Sequence, residues 1–103
     1  MSRTATVRAL PAAPAAPVAA WAAAKLLTPD EIVQLRGVRR GADICGYTNA
    51  KLLRSIQAKA PELIAIVPPR IRRPGQQRPY FGCIATKAGR KYLRVVASLA
   101  SAP

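Results

Sequence analysis

The sequence predicts an α+β fold that is mainly α, in which three helices are followed by a basic β-hairpin and a last helix. Three observations lead to this fold class. A helix-start motif surrounds Thr28, a glycine turn at Gly46 precedes an amphipathic stretch, and two strand-like segments flank Gly75. The chain has 103 residues, which is enough for one small domain.

The charge balance is strongly basic. The chain has 17 lysines and arginines but only four acids, for a net charge of +13. Because such a surplus repels itself in a compact fold, a polyanionic partner is expected, with DNA or RNA ahead of an anionic membrane. The alternative is a soluble basic protein without such a partner. No apolar run approaches the length of a membrane-spanning helix. Nucleic acid is therefore the expected partner, and a membrane is not.

Metal and cofactor chemistry is not expected. The chain has two cysteines, Cys45 and Cys83, and no histidine, whereas a structural zinc site takes four such ligands. Both thiols are expected to be reduced and buried, because no segment has the pattern of a secretory signal. A disulfide between them is the alternative. Without histidine, no Ser–His or Cys–His pair can form. We therefore expect a protein that is not an enzyme and binds no cofactor.

Residues 1–24 differ from the rest of the chain in composition. Alanine dominates them, and their prolines prevent a continuous helix. This composition predicts a flexible arm, with a short helix from about Val18 to Leu26 as an option. Trp21 is expected to pack onto the domain. The folded domain is predicted over residues 25–99, with a tail at 100–103.

The first helix of the domain starts at a capping box. Thr28 is the predicted N-cap, Pro29 is the first helical residue, and Glu31 completes the box. The helix is predicted to run to about Arg36 and to end at Gly37. The residues expected on its buried side are Ile32, Val33 and Leu35.

A short segment from Val38 to Gly46 leads into the next helix. Its candidate core residues are Ala42, Ile44 and Cys45. The helix itself is predicted over Asn49–Lys59, with Thr48 or Asn49 as its cap and Pro61 as its end. The inward residues at helical spacing are Ala50, Leu52, Leu53 and Ile56.

Two strand predictions follow. The apolar segment 63–67 is a short strand that lies at an edge or ends at Pro68 and Pro69, because proline cannot donate to the ladder. The basic segment 70–73 is then predicted to pair with segment 80–85 across the loop 74–77.

The last predicted helix opens at Thr86 and covers roughly Lys87 to Ser98. Its basic residues are expected to face outward. The expected inward stripe consists of Tyr92, Leu93, Val96 and Leu99.

The order of these elements resembles the winged helix-turn-helix superfamily. Residues 43–56 look like its turn and recognition helix, with a short helix expected between Gly37 and Gly46. Residues 84–93 look like the segment of MarR-like and PadR-like regulators in which a wing strand enters the next helix. The resemblance covers about residues 27–96 and implies a DNA-binding domain with a basic wing. No long dimerisation helix follows, so a homodimer is left open.

The resemblance implies that helix Asn49–Lys59 reads base edges in a major groove, where Asn suits adenine and Arg or Lys suits guanine. The basic hairpin would contact phosphates or enter the minor groove, and the first turn of the last helix could meet phosphate. The candidate nucleic-acid-binding residues are Asn49, Lys51, Arg54, Ser55, Lys59, Arg70, Arg72, Arg73, Gln76, Arg78, Lys87, Arg90 and Lys91. The aromatic residues expected to pack rather than to stack on bases are Tyr47, Tyr80 and Phe81.

The sequence therefore favours a small basic protein that binds double-stranded DNA, either a transcriptional regulator or a phage- or plasmid-type accessory factor. The second hypothesis is a docking protein on a nucleoprotein machine, with RNA or a nucleoprotein complex as partner. Such a protein could be a ribosomal or organellar ribosomal subunit, or a phage-encoded inhibitor such as an anti-CRISPR protein. The expected location is cytoplasmic and nucleoid-associated. Mitochondrial targeting is the alternative, because the N-terminus contains arginine and no acid.

Overall fold

The computed structural model describes residues 15–101, which contain four α-helices and one three-stranded antiparallel sheet. The strand order is β1-β3-β2, so β3 lies at the centre. The predicted α+β class is confirmed. Within residues 15–101, no helix combines the length and the apolar character that crossing a bilayer requires. In chain order the elements are α1 (Ala16–Ala23), α2 (Pro29–Gly37), β1 (Ala42–Cys45), α3 (Tyr47–Lys59), a 3₁₀ turn (Pro61–Leu63), β2 (Ile64–Val67), β3 (Tyr80–Ala85) and α4 (Lys87–Ser101).

Helix α2 starts at the predicted capping box. The Thr28 hydroxyl accepts from the Glu31 amide at 3.2 Å, and the Glu31 carboxylate accepts from the Thr28 amide at 2.8 Å. Leu35 is fully buried, but Val33 is 57% exposed, so its predicted burial is wrong. The inward side of α2 carries Glu31 and Leu35, one turn apart, and Val33 lies about 200° around the helix from both.

The segment between Gly37 and Gly46 contains a strand and not the expected short helix. Gly41 and Gly46 have φ angles of +93° and +113°, which interrupt any helix on both sides of residues 42–45. Strand β1 lies between them and pairs with β3. Strand alternation turns Ile44 inward and leaves Cys45 exposed, so the predicted burial of Cys45 is wrong. Both cysteines are free thiols, and only Cys83 is buried.

Helix α3 begins at Tyr47, two residues before the predicted start. Its N-cap is Gly46 and no side chain caps it, so the predicted cap at Thr48 or Asn49 is wrong. The glycine turn alone redirects the chain from β1 into the helix. The helix ends at Lys59, before Pro61, as predicted. The predicted inward residues Ala50, Leu53 and Ile56 are buried, and Leu52 is half-buried.

The hairpin is formed by different residues from those predicted. Segment 70–73 is not a strand, because β3 pairs with β2 from Ile64↔Ala85 to Val67↔Gly82. The prolines at 68 and 69 lack amide donors and stop the ladder at Val67, as expected for an edge strand. Residues 68–79 form a loop, with a tight turn in which the Gln76 amide donates to the Arg73 carbonyl at 3.2 Å. We call residues 68–79 the β2–β3 loop.

Helix α4 starts at the predicted cap, since the Gly89 amide donates to the Thr86 hydroxyl at 3.1 Å. It continues to Ser101, through residues assigned to a tail from the sequence. Tyr92 and Leu93 are buried as predicted, and Val95 is buried as well. Leu99 is 41% exposed, which corrects its predicted burial. The buried residues of α4 all precede Val96, so Leu99 lies beyond the part of the helix that covers the core.

Helix α1 packs against α4. Ala22 belongs to the core, and the rings of Trp21 and Tyr92 meet edge to face at a centroid distance of 6.2 Å. The prediction that Trp21 packs onto the domain is confirmed. Packing against the core thus begins before Lys25, the predicted start of the domain. The remainder of the predicted arm, residues 1–14, lies outside the described residues.

Candidate nucleic-acid interface

Helix α3 presents an exposed stripe to solvent. Tyr47, Lys51, Arg54 and Ala58 follow one another at helical spacing and are all exposed. Ile56 lies on the opposite, buried side. Tyr47 is 68% exposed, so its predicted packing role is wrong. It lies in the first turn of α3, on the same side as two of the predicted reading residues.

Arg54 is held at the sheet side of this stripe. Its guanidinium lies over the ring of Phe81, 5.3 Å from the ring centroid. Phe81 is in the central strand and is 8% exposed, so the predicted core role of this ring is confirmed. The cation–π contact restricts the rotamers of Arg54 while its charge stays exposed, which lowers the entropy cost of binding an anion.

The other candidates on α3 face α2 and serve the fold. Asn49 accepts a hydrogen bond from the Gln34 side chain at 3.1 Å. The Lys59 ammonium donates to the Glu31 carboxylate at 2.7 Å. Ser55 also hydrogen-bonds to Glu31. The structure therefore brings Lys51 and Arg54 to the exposed stripe but engages the other three candidates within the protein.

Glu31 is the acid around which α2 and α3 pack. Its burial alone would raise the pKa of the carboxyl. The hydrogen bonds from Lys59, Ser55 and the Thr28 amide, together with the Lys59 charge, outweigh burial and lower the pKa of Glu31 from 4.5 to about 2. Glu31 is thus ionised at neutral pH and orients α3 relative to α2.

The β2–β3 loop lies on the sheet face opposite the helices. Asp43 in β1 accepts hydrogen bonds from the backbone amides of Arg70 at 2.7 Å and Ile71 at 3.1 Å. These bonds, first that of the Arg70 amide, lower the pKa of the Asp43 carboxyl. A Cβ on Gly82 would lie only 2.7 Å from the Pro68 carbonyl oxygen, so the loop packs directly on the central strand.

Tyr80 provides a second anchor for this loop. Its hydroxyl oxygen lies 2.8 Å from the Asp43 carboxylate and also contacts the Ile71 carbonyl. Because the hydroxyl has a single proton, it donates to one of these two acceptors at a time. Burial, followed by the bond to Asp43, raises the pKa of Tyr80. The Arg73 guanidinium lies over the Tyr80 ring, 5.8 Å from the centroid. The predicted packing role of Tyr80 is thus confirmed, and the ring supports an arginine.

The end of the β2–β3 loop meets the start of α3. The Gly46 amide donates to the Pro79 carbonyl at 3.1 Å, and the Gln76 side chain donates to the Cys45 sulfur at 3.3 Å. The four arginines of the loop are exposed. Beside them is an open depression of about 620 Å³. Its lining residues are Pro68, Pro69, Arg72, Arg73, Pro74 and Tyr80.

The three candidates on α4 do not form one cluster. Lys91 lies over the Trp21 ring at 5.1 Å from the centroid, on the α1 side. Arg90 donates to the Ala85 carbonyl at 3.0 Å and lies on the α2 side. Lys87 is exposed between them.

A further set of arginines, of which the sequence analysis singled out only Arg90, lies together in the structure. It lines a groove of about 430 Å³ between α2 and α4, together with Leu93 and Ala97. We call it the arginine groove, and its members are Arg36, Arg39, Arg40, Arg90 and Arg94. The helical spacing of the last two is visible in the sequence, but their position opposite the end of α2 is a result of tertiary packing.

No protein-family model, curated protein sequence or solved structure matches this chain. Within residues 15–101, no three potential metal-ligating side chains are grouped. A proposal about function therefore rests on the shape and charge of the surface that residues 15–101 form.

Proposed function

We propose that the protein binds double-stranded DNA, as a regulator or accessory factor and not as an enzyme, through α3 and the β2–β3 loop. The observation that carries this proposal is an arginine-rich loop anchored by Asp43 and Tyr80 beside the exposed start of α3. A charged surface that is already ordered loses less entropy on binding. In this proposal the fold is a reduced winged helix, in which β1 stands where the second helix would be.

The two parts of this surface have different roles. Lys51 and Arg54 are on the exposed stripe of α3, where they can reach base edges in a major groove. Tyr47 lies at the helix start, where its hydroxyl can reach a phosphate. The loop arginines neutralise backbone phosphates, which supplies affinity that does not depend on sequence. The net charge of +13 supports association with a polyanion.

Replacing Arg72 and Arg73 together with alanine tests this function. Removing one phosphate contact should flatten the dependence of log affinity on log salt by about 0.9 on duplex DNA. The double variant is therefore expected to bind every duplex more weakly and to reduce the slope by roughly two units. Fluorescence anisotropy with one labelled duplex across a salt series, and with an RNA of the same sequence beside it, gives the slopes.

The matched control removes two charges elsewhere. Replacing Lys87 and Lys91 with alanine lowers the net charge equally, at two positions that line neither the β2–β3 loop nor the arginine groove, and should leave the slope unchanged. If both double variants weaken binding equally, affinity follows net charge and not this surface. If the wild-type protein fails to bind duplex DNA at low salt, the proposal is wrong and docking on RNA or a protein partner takes its place.

Replacing Asp43 with asparagine separates loop order from charge. The variant is more positive by one unit, so electrostatics alone would strengthen DNA binding. An amide can no longer accept from all the groups that Asp43 binds, so the loop should lose its anchor. We expect binding to weaken by about 1 kcal/mol, roughly fivefold.

The comparison for this test is Asp30→Asn, which removes an exposed acid in the first turn of α2. Its affinity for DNA should be equal to that of the wild type or slightly higher. Equal strengthening by both changes would show that the Asp43 anchor does not matter for binding.

A further inference from the structure

The arginine groove concentrates positive charge that nothing within the described residues neutralises. The chain has four acids. Glu31 binds Lys59, Glu62 binds Lys25, and Asp43 holds the β2–β3 loop. Asp30 lies in the first turn of α2, at the end opposite to the groove. Like charges gathered in a concave surface raise the local potential, so the groove is suited to an anion.

The groove and the β2–β3 loop meet at one contact. The Arg70 guanidinium, on the loop, donates to the backbone carbonyl of Arg40, in the groove, at 2.9 Å. The same guanidinium nitrogen lies 2.6 Å from the place where a Cβ of Gly41 would be. The first arginine of the loop is therefore packed against the turn that carries Arg40, and the two basic surfaces adjoin.

The arrangement of the groove arginines suits a chain of phosphates. Arg90 and Arg94 lie one turn apart along α4, and Arg36, at the end of α2, belongs to the opposite wall. Guanidinium groups bind phosphate oxygens through paired hydrogen bonds. Two facing rows of donors extend over more than one phosphate position, as a nucleic-acid backbone requires.

We propose that the arginine groove is a second phosphate-binding surface that extends the footprint of the same DNA duplex beyond the β2–β3 loop. This inference rests on the proposed function. One duplex contacts the loop and the groove together, so both surfaces contribute to a single binding event. The groove adds affinity that does not depend on sequence, because its arginines reach phosphates and not base edges.

The test uses the double variant Arg36→Ala and Arg94→Ala of the full chain with a duplex of about 24 bp, a little over two helical turns. These two side chains are exposed, and Arg90, which is bonded to Ala85, is left in place. We expect the slope of the salt dependence to fall by roughly two units. Sedimentation should show one duplex per protein molecule for the wild type and for the double variant. The variant Arg36→Lys and Arg94→Lys keeps both charges and should retain most of the slope.

The outcomes separate this inference from the proposed function. If Arg72→Ala with Arg73→Ala flattens the slope but the groove variant leaves it unchanged, the inference is overturned and the proposed function stands. Two duplexes on one protein would also overturn it, because the groove would then bridge separate DNA molecules. If neither double variant changes the slope, the proposed function fails as well. Circular dichroism spectra matching those of the wild type show that each variant is folded.

Discussion

Replacing Gly89 with alanine is expected to lower the free energy of unfolding by about 3 kcal/mol, because the new methyl group has no room. A Cβ at this position would lie 2.1 Å from the Leu63 carbonyl oxygen. That oxygen belongs to the backbone and accepts the Thr86 amide at 3.0 Å, so it cannot move without breaking the start of α4. Thermal unfolding followed by circular dichroism should show a midpoint lowered by about 10–20 °C.

Gly37→Ala is the matched control for this change. Gly37 is also in a helix, and nothing lies within 4 Å of the place where its Cβ would be. Alanine is the better helix former, so this variant should be as stable as the wild type or more stable by up to about 1 kcal/mol. If Gly89→Ala unfolded at the same temperature as Gly37→Ala, the close contact between α4 and the 3₁₀ turn would be contradicted.

Replacing Glu31 with glutamine is expected to cost about 3 kcal/mol at neutral pH and to flatten the acid dependence of stability. The folded-state pKa of about 2 lies below the ordinary value of 4.5, so the ionised carboxylate stabilises the fold above about pH 4.5. That stabilisation is lost as the pH falls from there through about 2. Glutamine can still complete the capping box, so the change isolates the charge that Lys59 binds.

Urea unfolding of both proteins between pH 2 and pH 7 measures this effect. The difference between them should be largest at pH 5–7 and should shrink toward pH 2, where the wild-type carboxyl is itself protonated. Asp30→Asn is the control, since Asp30 precedes Glu31 in the same turn but is exposed. A constant difference across the pH range would mean that the destabilisation reflects shape and not charge.

The elements that were predicted correctly depend on residues close together in the chain. Thr28 caps α2 through Glu31, three residues away, and Thr86 caps α4 in the same way. Pro61 follows the end of α3 at Lys59. Capping and proline geometry act within one turn of backbone, so the sequence contains all the information they require.

The strands were predicted less well because their partners are distant in the chain. Ile44 pairs with Phe81, and Ile66 pairs with Cys83. The glycines that flank β1 are visible in the sequence, but only the structure shows their positive φ angles. The register with β3 decides which side chains of β1 are buried. Segment 70–73 has the composition of a strand, but Asp43 binds its backbone and holds it as a loop.

The candidate site divides in the same way. The sequence alone predicts the excess of positive charge, the amphipathic α3 and the arginine-rich segment 70–78, because composition and helical spacing are properties of neighbouring residues. Which of these charges stay available to a partner depends on tertiary packing. Glu31 engages Lys59, while Arg54 remains exposed over Phe81. Packing of α4 near the end of α2 brings Arg36 close to Arg90 and Arg94, which are more than fifty residues further along the chain, and this depends on the folding of the whole chain.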